Sequence, residues 1–185
     1  MDDEKIIDLY FARNETAIQE TSSKYGKLCF LVADNILANH EDSEECVNDT
    51  YLGVWNAIPP HRPSRFRVFI SRITRNLALK KFEYGSAAKR NPHAVCSLNE
   101  LSDCVSGKDY MEDTLENKRI EQAISKFLSQ QSQDRRAVFL WRYWYFESIE
   151  RICQRTGYSQ SKVTSMLFRT RKNLRTYLES EGIEL

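Results

Sequence analysis

Between Glu150 and Leu174 the chain reads ERICQRTGYSQSKVTSMLFRTRKNL, and six cations fall within it: Arg151, Arg155, Lys162, Arg169, Arg171 and Lys172. Guanidinium and ammonium groups neutralise phosphates. Together with hydroxyls and amides they also hydrogen-bond to base edges. Steps of 100° place Val163, Met166, Leu167, Leu174 and Leu178 on one side of a helix, with Ser161, Lys162, Ser165, Phe168, Arg169 and Lys172 opposite. Ile149, Ile152 and Cys153 form the apolar face of a preceding helix. Gly157 supplies a tight turn between the two, and Ser159 is placed to cap the second. A small residue at Cys153, a glycine four later and an apolar residue six after that are the steric marks of a helix-turn-helix. The alternative is an amphipathic hairpin with a wet basic face, but such faces usually mix acids among their bases.

Other chemistries find little support. His40, His61 and His93 fall in expected loops or boundaries, no Gly-rich phosphate loop is present, and no nucleophile is paired with a base, so no enzyme is expected. His93, Cys96 and Cys104 lack a fourth zinc ligand at a sensible spacing, and neither a metal nor a cofactor is expected. The five cysteines are odd in number and form no CxxC pair. Cys29, Cys46 and Cys153 are therefore expected as small core hydrophobes of a reducing compartment.

The net charge of +1 conceals strong segregation. Residues 1–50 carry twelve acids and four bases, whereas residues 62–90 carry nine bases and one acid. Residues 142–175 carry eight bases and two acids. Two basic blocks imply two places that meet a polyanion, and the acidic leading block, which would repel nucleic acid, implies a different partner.

The elements that must position these residues are helical. Ile6, Leu9, Tyr10 and Arg13 open one helix, and Leu28, Leu31, Val32, Ile36 and Leu37 mark a second. Asp42 or Ser43 is expected to cap a third, running to about Trp55 with Cys46, Val47, Thr50, Tyr51 and Val54 on one face. After the proline-rich loop IPPHRPSR, a fourth is expected over 66–84, with Phe66, Phe69, Ile70, Ile73 and Leu77 along its stripe. From Gly85 to Thr114 periodicity gives way to Gly, Ser, Asn and Pro, which predicts a linker with one short turn near 98–101. Helices resume over 115–128 and 133–144. The expected fold is all-α: two small helical domains, 1–86 and 115–185, joined by a flexible linker over 87–114. With 41% apolar residues each can bury a core. No apolar run approaches the roughly 18 residues of a membrane span, and the acidic start is unlike a signal peptide, so a cytoplasmic location away from membranes is expected.

These two domains resemble an RNA polymerase sigma factor of the extracytoplasmic-function type, which carries sigma regions 2 and 4. In that family the first domain holds a pattern close to D-A-E-D-hydrophobic-V-Q-E-aromatic. Here EDSEECVNDTYLGVW stands in its place, with Asp42, Glu44, Glu45, Val47, Asn48, Asp49 and Tyr51 at the matching positions. The following helix of the family looks like W-L-x-x-I-A-R-N-x-A, and the corresponding stretch is FISRITRNLA, with Phe69, Ile70, Ile73, Arg75, Asn76 and Ala78. From DRRAVFLWRYW onward the chain is similar to region 4. Departures occur where the family often has T-V-K-S-R and this chain has Lys162, Val163, Thr164, Ser165 and Met166, and where Lys80 and Phe69 replace an Asp and a Trp. They bear on the promoter sequence more than on the function.

The resemblance implies partners and site residues. Asp42, Glu44, Glu45, Asn48 and Asp49 would grip the β′ clamp helices of core RNA polymerase, with Val47 and Leu52 adding apolar affinity, and region 4 would meet the β flap. At the −10 promoter element Asn76 would read an extruded base, Arg72 and Arg75 would lie near phosphates, and His61 or Phe66 could stack on the base. At the −35 element Arg142, Ser161, Lys162, Ser165, Phe168 and Arg169 would contact duplex DNA, with Thr164 at the margin. Arg142, lying before the turn, would clamp a phosphate or reach an edge base. An anti-sigma protein is a common further partner in the family. A one-component regulator with a helical sensing domain would explain residues 133–178 but leave EDSEECVNDTYLGVW and RITRN without a role.

Overall fold

The structure, a computed structural model, describes residues 1–85, 91–102 and 115–183, all helices and connecting turns. Two compact units divide it, Met1–Ala94 and Val95–Leu185.

Four helices build the first unit: α1 (Asp3–Phe11), α2 (Thr16–Leu37), α3 (His40–Ala57) and α4 (Phe66–Tyr84). Helix α2 begins well before its bulky markers. Its inner face there is Ala17, Thr21 and Tyr25, small or polar residues at four-residue spacing that apolar periodicity alone does not flag. Thr21 is satisfied by the Tyr10 hydroxyl at 2.9 Å, so its burial leaves no unpaired polar group. Helix α3 is capped neither by Asp42 nor by Ser43. Asn39 holds an extended conformation and its side chain accepts from the Asp42 N–H, which places Asp42 within the first turn and Ser43 inside the core. Helices α3 and α4 approach closely where a Cβ on Gly53 would lie 3.0 Å from the Ile73 side chain. Their buried hydroxyls pair across that seam, Thr50 Oγ1 donating to Thr74 Oγ1 at 3.2 Å. Ile6, Tyr10, Cys29, Val54, Ile58, Phe66 and Ile70 fill the centre.

The middle of the expected linker is a helix, α5 (Pro92–Ser102). Its proline starts the helix rather than breaking it, since the missing N–H falls where no intrahelical partner exists. Asn91 caps it by accepting from the His93 N–H at 3.0 Å. Cys104 and the linker's flanks, residues 86–90 and 103–114, lie outside the described residues.

Helices α6 (Leu115–Gln130), α7 (Gln133–Tyr143), α8 (Ile149–Thr156) and α9 (Gln160–Ser180) follow. Val138, Phe139, Tyr143, Ile152, Val163, Leu167, Leu174 and Leu178 form the core of this second unit, and Cys153 and Trp141 pack at its margin. Cys29 and Cys46 are buried thiols, and burial pushes Cys46 up to about 12, far from reactive thiolate chemistry. Among the described residues no helix is long and apolar enough to cross a membrane.

Candidate nucleic-acid interface and acidic face

Helix α8 opens on Ser148, whose hydroxyl accepts from the Arg151 N–H, and ends on Gly157 at φ 70, a left-handed turn that favours glycine. Ser159 then caps α9 by accepting from the Lys162 N–H. With Ile152, Val163 and Leu167 buried between the helices, the outer side of α9 is left uncovered among the described residues. Ser161, Lys162, Thr164, Ser165, Phe168 and Arg169 are all exposed, and Phe168 keeps 60% of its surface in water. The Thr164 hydroxyl is turned back to the Gln160 carbonyl at 2.9 Å, which leaves it the least available of the set. Lys162, Ser165 and Arg169 line a groove of about 460 Å³ with Ser132, Asp134, Arg135, Tyr158 and Met166. Arg135 is a cation absent from the sequence-based expectation. Its signal was the pair Arg135–Arg136 at the start of a helix, which periodicity alone does not assign to the same surface as α9.

Arg142 does not belong to this interface. Its side chain is 3% exposed, bridges Glu100 at 3.0 Å and donates to the Glu147 carbonyl at 3.4 Å. A buried guanidinium must be matched by an acid, and α5 delivers that acid. Arg171 also turns inward, to Glu100 at 3.2 Å and to the Tyr143 hydroxyl. Burial raises the affinity of Glu100 for its proton, but hydrogen bonds from Arg142 and Tyr143 and the Arg142 charge outweigh it and hold the carboxyl below its usual range. Arg155 pairs with the buried Glu147 at 2.8 Å and lies over the Trp141 ring. Three of the eight cations of the second basic block are thus structural, whereas Arg169 and Lys172 make no ion pair among the described residues.

In the first unit, Arg72 and Asn76 stand one turn apart on the exposed side of α4, and Arg75 is half-buried beside them. Burial, with Arg72 nearby, lowers the Arg75 guanidinium to about 10. His61 is exposed and its ring stacks near that of Phe69, with centroids 6.4 Å apart and planes 20° from parallel. Phe66 is not available to a base: it is 1% exposed, and its ring packs against Tyr10 and Tyr25. Four residues before Ile70, it shares that residue's buried side of α4. Arg62 is held by Asp8 at 2.6 Å, so one more cation of the first basic block is engaged internally.

The acids of α3 face outward. Glu44, Glu45, Asn48 and Asp49 are exposed and Asp42 is half-exposed. Leu52, 58% exposed, lies one turn beyond Asn48 on the same face. Val47 does not join it, being buried in the core. Lys81 of α4 reaches this face, bridging Asp42 at 2.9 Å and also Glu45.

The described residues, all helices and turns, thus offer a cationic helix-turn-helix face, as DNA-binding proteins do, and, in a separate unit, an exposed acidic face with an apolar residue on it. Residues 23–86 match the family described as Sigma-70 region 2, and residues 121–174 match Sigma-70, region 4. The chain therefore belongs to the sigma-70 family, as an extracytoplasmic-function member pairing regions 2 and 4, and acts as a sigma factor in transcription initiation. No curated protein matches its sequence. A solved structure, that of CnrH in complex with the cytosolic domain of CnrY, is similar at 19% identity over 96% of this chain and 97% of that one, with a TM-score of 0.44.

Proposed function

We propose that the chain directs core RNA polymerase to promoters from the cytoplasm, dividing the work between its two units. The observation that carries this is the pair of uncovered faces, acidic on α3 and cationic on α9, inside the two matched regions. Asp42, Glu44, Glu45, Asn48 and Asp49 meet the β′ clamp helices with Leu52 at the centre of the contact, and region 4 meets the β flap. Charge sets orientation and association rate there, while the apolar centre supplies affinity. Asn76 reads a base extruded from the −10 element, with Arg72 near the strand backbone and the His61–Phe69 ring pair as a stacking surface. Ser161, Lys162, Ser165, Phe168 and Arg169 contact the −35 duplex. The chain itself is not an enzyme; bond formation belongs to the polymerase. An anti-sigma protein completes the partner set, on the habit of the family alone.

Reconstitution with core polymerase on a promoter library tests this. Transcripts that start at a common pair of elements only when the chain is added are expected. Tight, sequence-specific binding to duplex DNA by the isolated chain at physiological salt, with no holoenzyme formed, would instead favour a one-component regulator.

A further inference from the structure

Lys162 occupies an unfavourable place for a cation. It lies in the first turn of α9, where unpaired N–H groups already make the local potential positive, and no acid accompanies it in that turn. Nor does it make an ion pair with Asp134, although both line the same groove. Its ammonium instead stands 3.3 Å from the centroid of the Tyr158 ring, against the negative face of that ring. The Tyr158 hydroxyl donates to Asp134 at 2.6 Å, and the Tyr158 ring packs against the core of the unit. Asp134 thus directs one carboxylate oxygen to the phenol and makes no ion pair with the ammonium.

We infer that Tyr158, tethered by Asp134, is a positioning residue that pre-orders Lys162 toward the −35 duplex. This rests on the assignment of α9 to that element. A free lysine side chain loses rotamer entropy when it engages DNA. Stacking on a tethered ring removes part of that loss beforehand, without a direct ion pair that would have to break when DNA binds. Lys162 then adds its charge to the helix N-terminus, where anions are favoured.

The test uses holoenzyme on a promoter recovered from the library and on a copy with its −35 bases scrambled. Lys162→Ala should weaken −35-dependent binding, and Tyr158→Leu should weaken it by about two- to fivefold, part of the ordering cost of one long side chain at an interface. Tyr158→Phe, which keeps the ring but cuts the tether to Asp134, should recover part of that loss. In the Lys162→Ala background Tyr158→Leu should cost nothing further. A Tyr158→Leu loss that persists undiminished there overturns the positioning role while leaving the −35 assignment intact. If Lys162→Ala itself has no effect, the assignment of Lys162 to DNA falls, and the inference with it. An NMR measurement on the unaltered full chain guards against misfolded variants: the Lys162 ε-methylene protons should be shifted upfield by the ring, and ordinary lysine shifts would overturn the inference.

Discussion

Arginines of one basic block divide by what lies beneath them. Arg142 and Arg171 converge on Glu100, and Arg155 on Glu147, whereas Arg169 is exposed on α9 with no ion pair among the described residues. Truncating the two kinds should give opposite signatures. Arg142→Ala leaves Glu100 with Arg171 and Tyr143 but without its buried partner, removes a donor to the Glu147 carbonyl, and should destabilise the protein by about 1–3 kcal/mol, read by chemical denaturation. Arg169→Ala should leave stability within about 0.5 kcal/mol of wild type, as exposed substitutions usually do. Acid has a residue-specific effect as well. Glu100 is held below its ordinary value in the fold, so its contribution to stability is complete above the unfolded glutamate range and is lost as pH falls through the folded value. Glu147 has the opposite sign: burial raises it, Arg155 and Arg151 only partly offset this, and its ionised form opposes folding as pH rises above the unfolded value. Glu147→Gln should therefore lessen the loss of stability between mildly acidic and neutral pH, while Glu100→Gln should lessen the loss below the glutamate range. Denaturation midpoints for both variants across pH check the two signs; the same sign for both would refute the assigned burial effects.

At the scale of elements, helices with bulky stripes were legible in the sequence and those with quieter signals were not. Helix α4 starts at Phe66 and ends at Tyr84, as its apolar spacing and the proline-rich loop before it require. The α8–turn–α9 geometry, with Gly157 at the turn and the cap at Ser159, followed equally from spacing, whereas the cap at Ser148 was not foreseen. Missed were the first half of α2, whose core side is Ala, Thr and Tyr, and α5, whose proline and asparagine are start signals that resemble loop residues. The outer face of α9 was legible because burial of Val163 and Leu167 dictates what lies opposite. Arg142 and Phe66 were misassigned because position along the chain does not reveal which acid or ring waits on another helix. Two element-scale outcomes follow. Ala38 ends α2 at φ 50, a conformation strained for any residue with a Cβ. Ala38→Gly should raise the stability of the first unit by about 0.5–1 kcal/mol, seen as an increased midpoint in thermal denaturation. Asp49→Arg combined with Leu52→Ser alters only exposed residues of α3 and should weaken association with core polymerase at unchanged helical content. Normal holoenzyme assembly by that double variant would remove the clamp contact from α3.

Over the whole molecule, two DNA-facing surfaces sit on different units and are proposed to act on different forms of the same promoter. The α9 face offers charged and hydroxyl donors suited to a duplex groove, and Arg169→Ala should cost about 1–3 kcal/mol at the base it reads if the contact is bidentate. Asn76, exposed on α4 with no hydrogen bond among the described residues, would have its proposed partner only after a base has left the stack. Asn76→Ala should therefore leave closed-complex formation nearly intact and impair strand opening. Abortive initiation on duplex templates and on templates already melted across the −10 region separates the two roles. Pre-melting bypasses the opening step, so it should partly rescue Asn76→Ala, incompletely because the residue would also hold the base once it is out. It should do nothing for Arg169→Ala, whose proposed duplex contact lies outside the melted stretch. Rescue of Arg169→Ala by pre-melting, with none for Asn76→Ala, would require the roles of the two units to be exchanged, since an interaction made with intact duplex gains nothing from strands separated elsewhere.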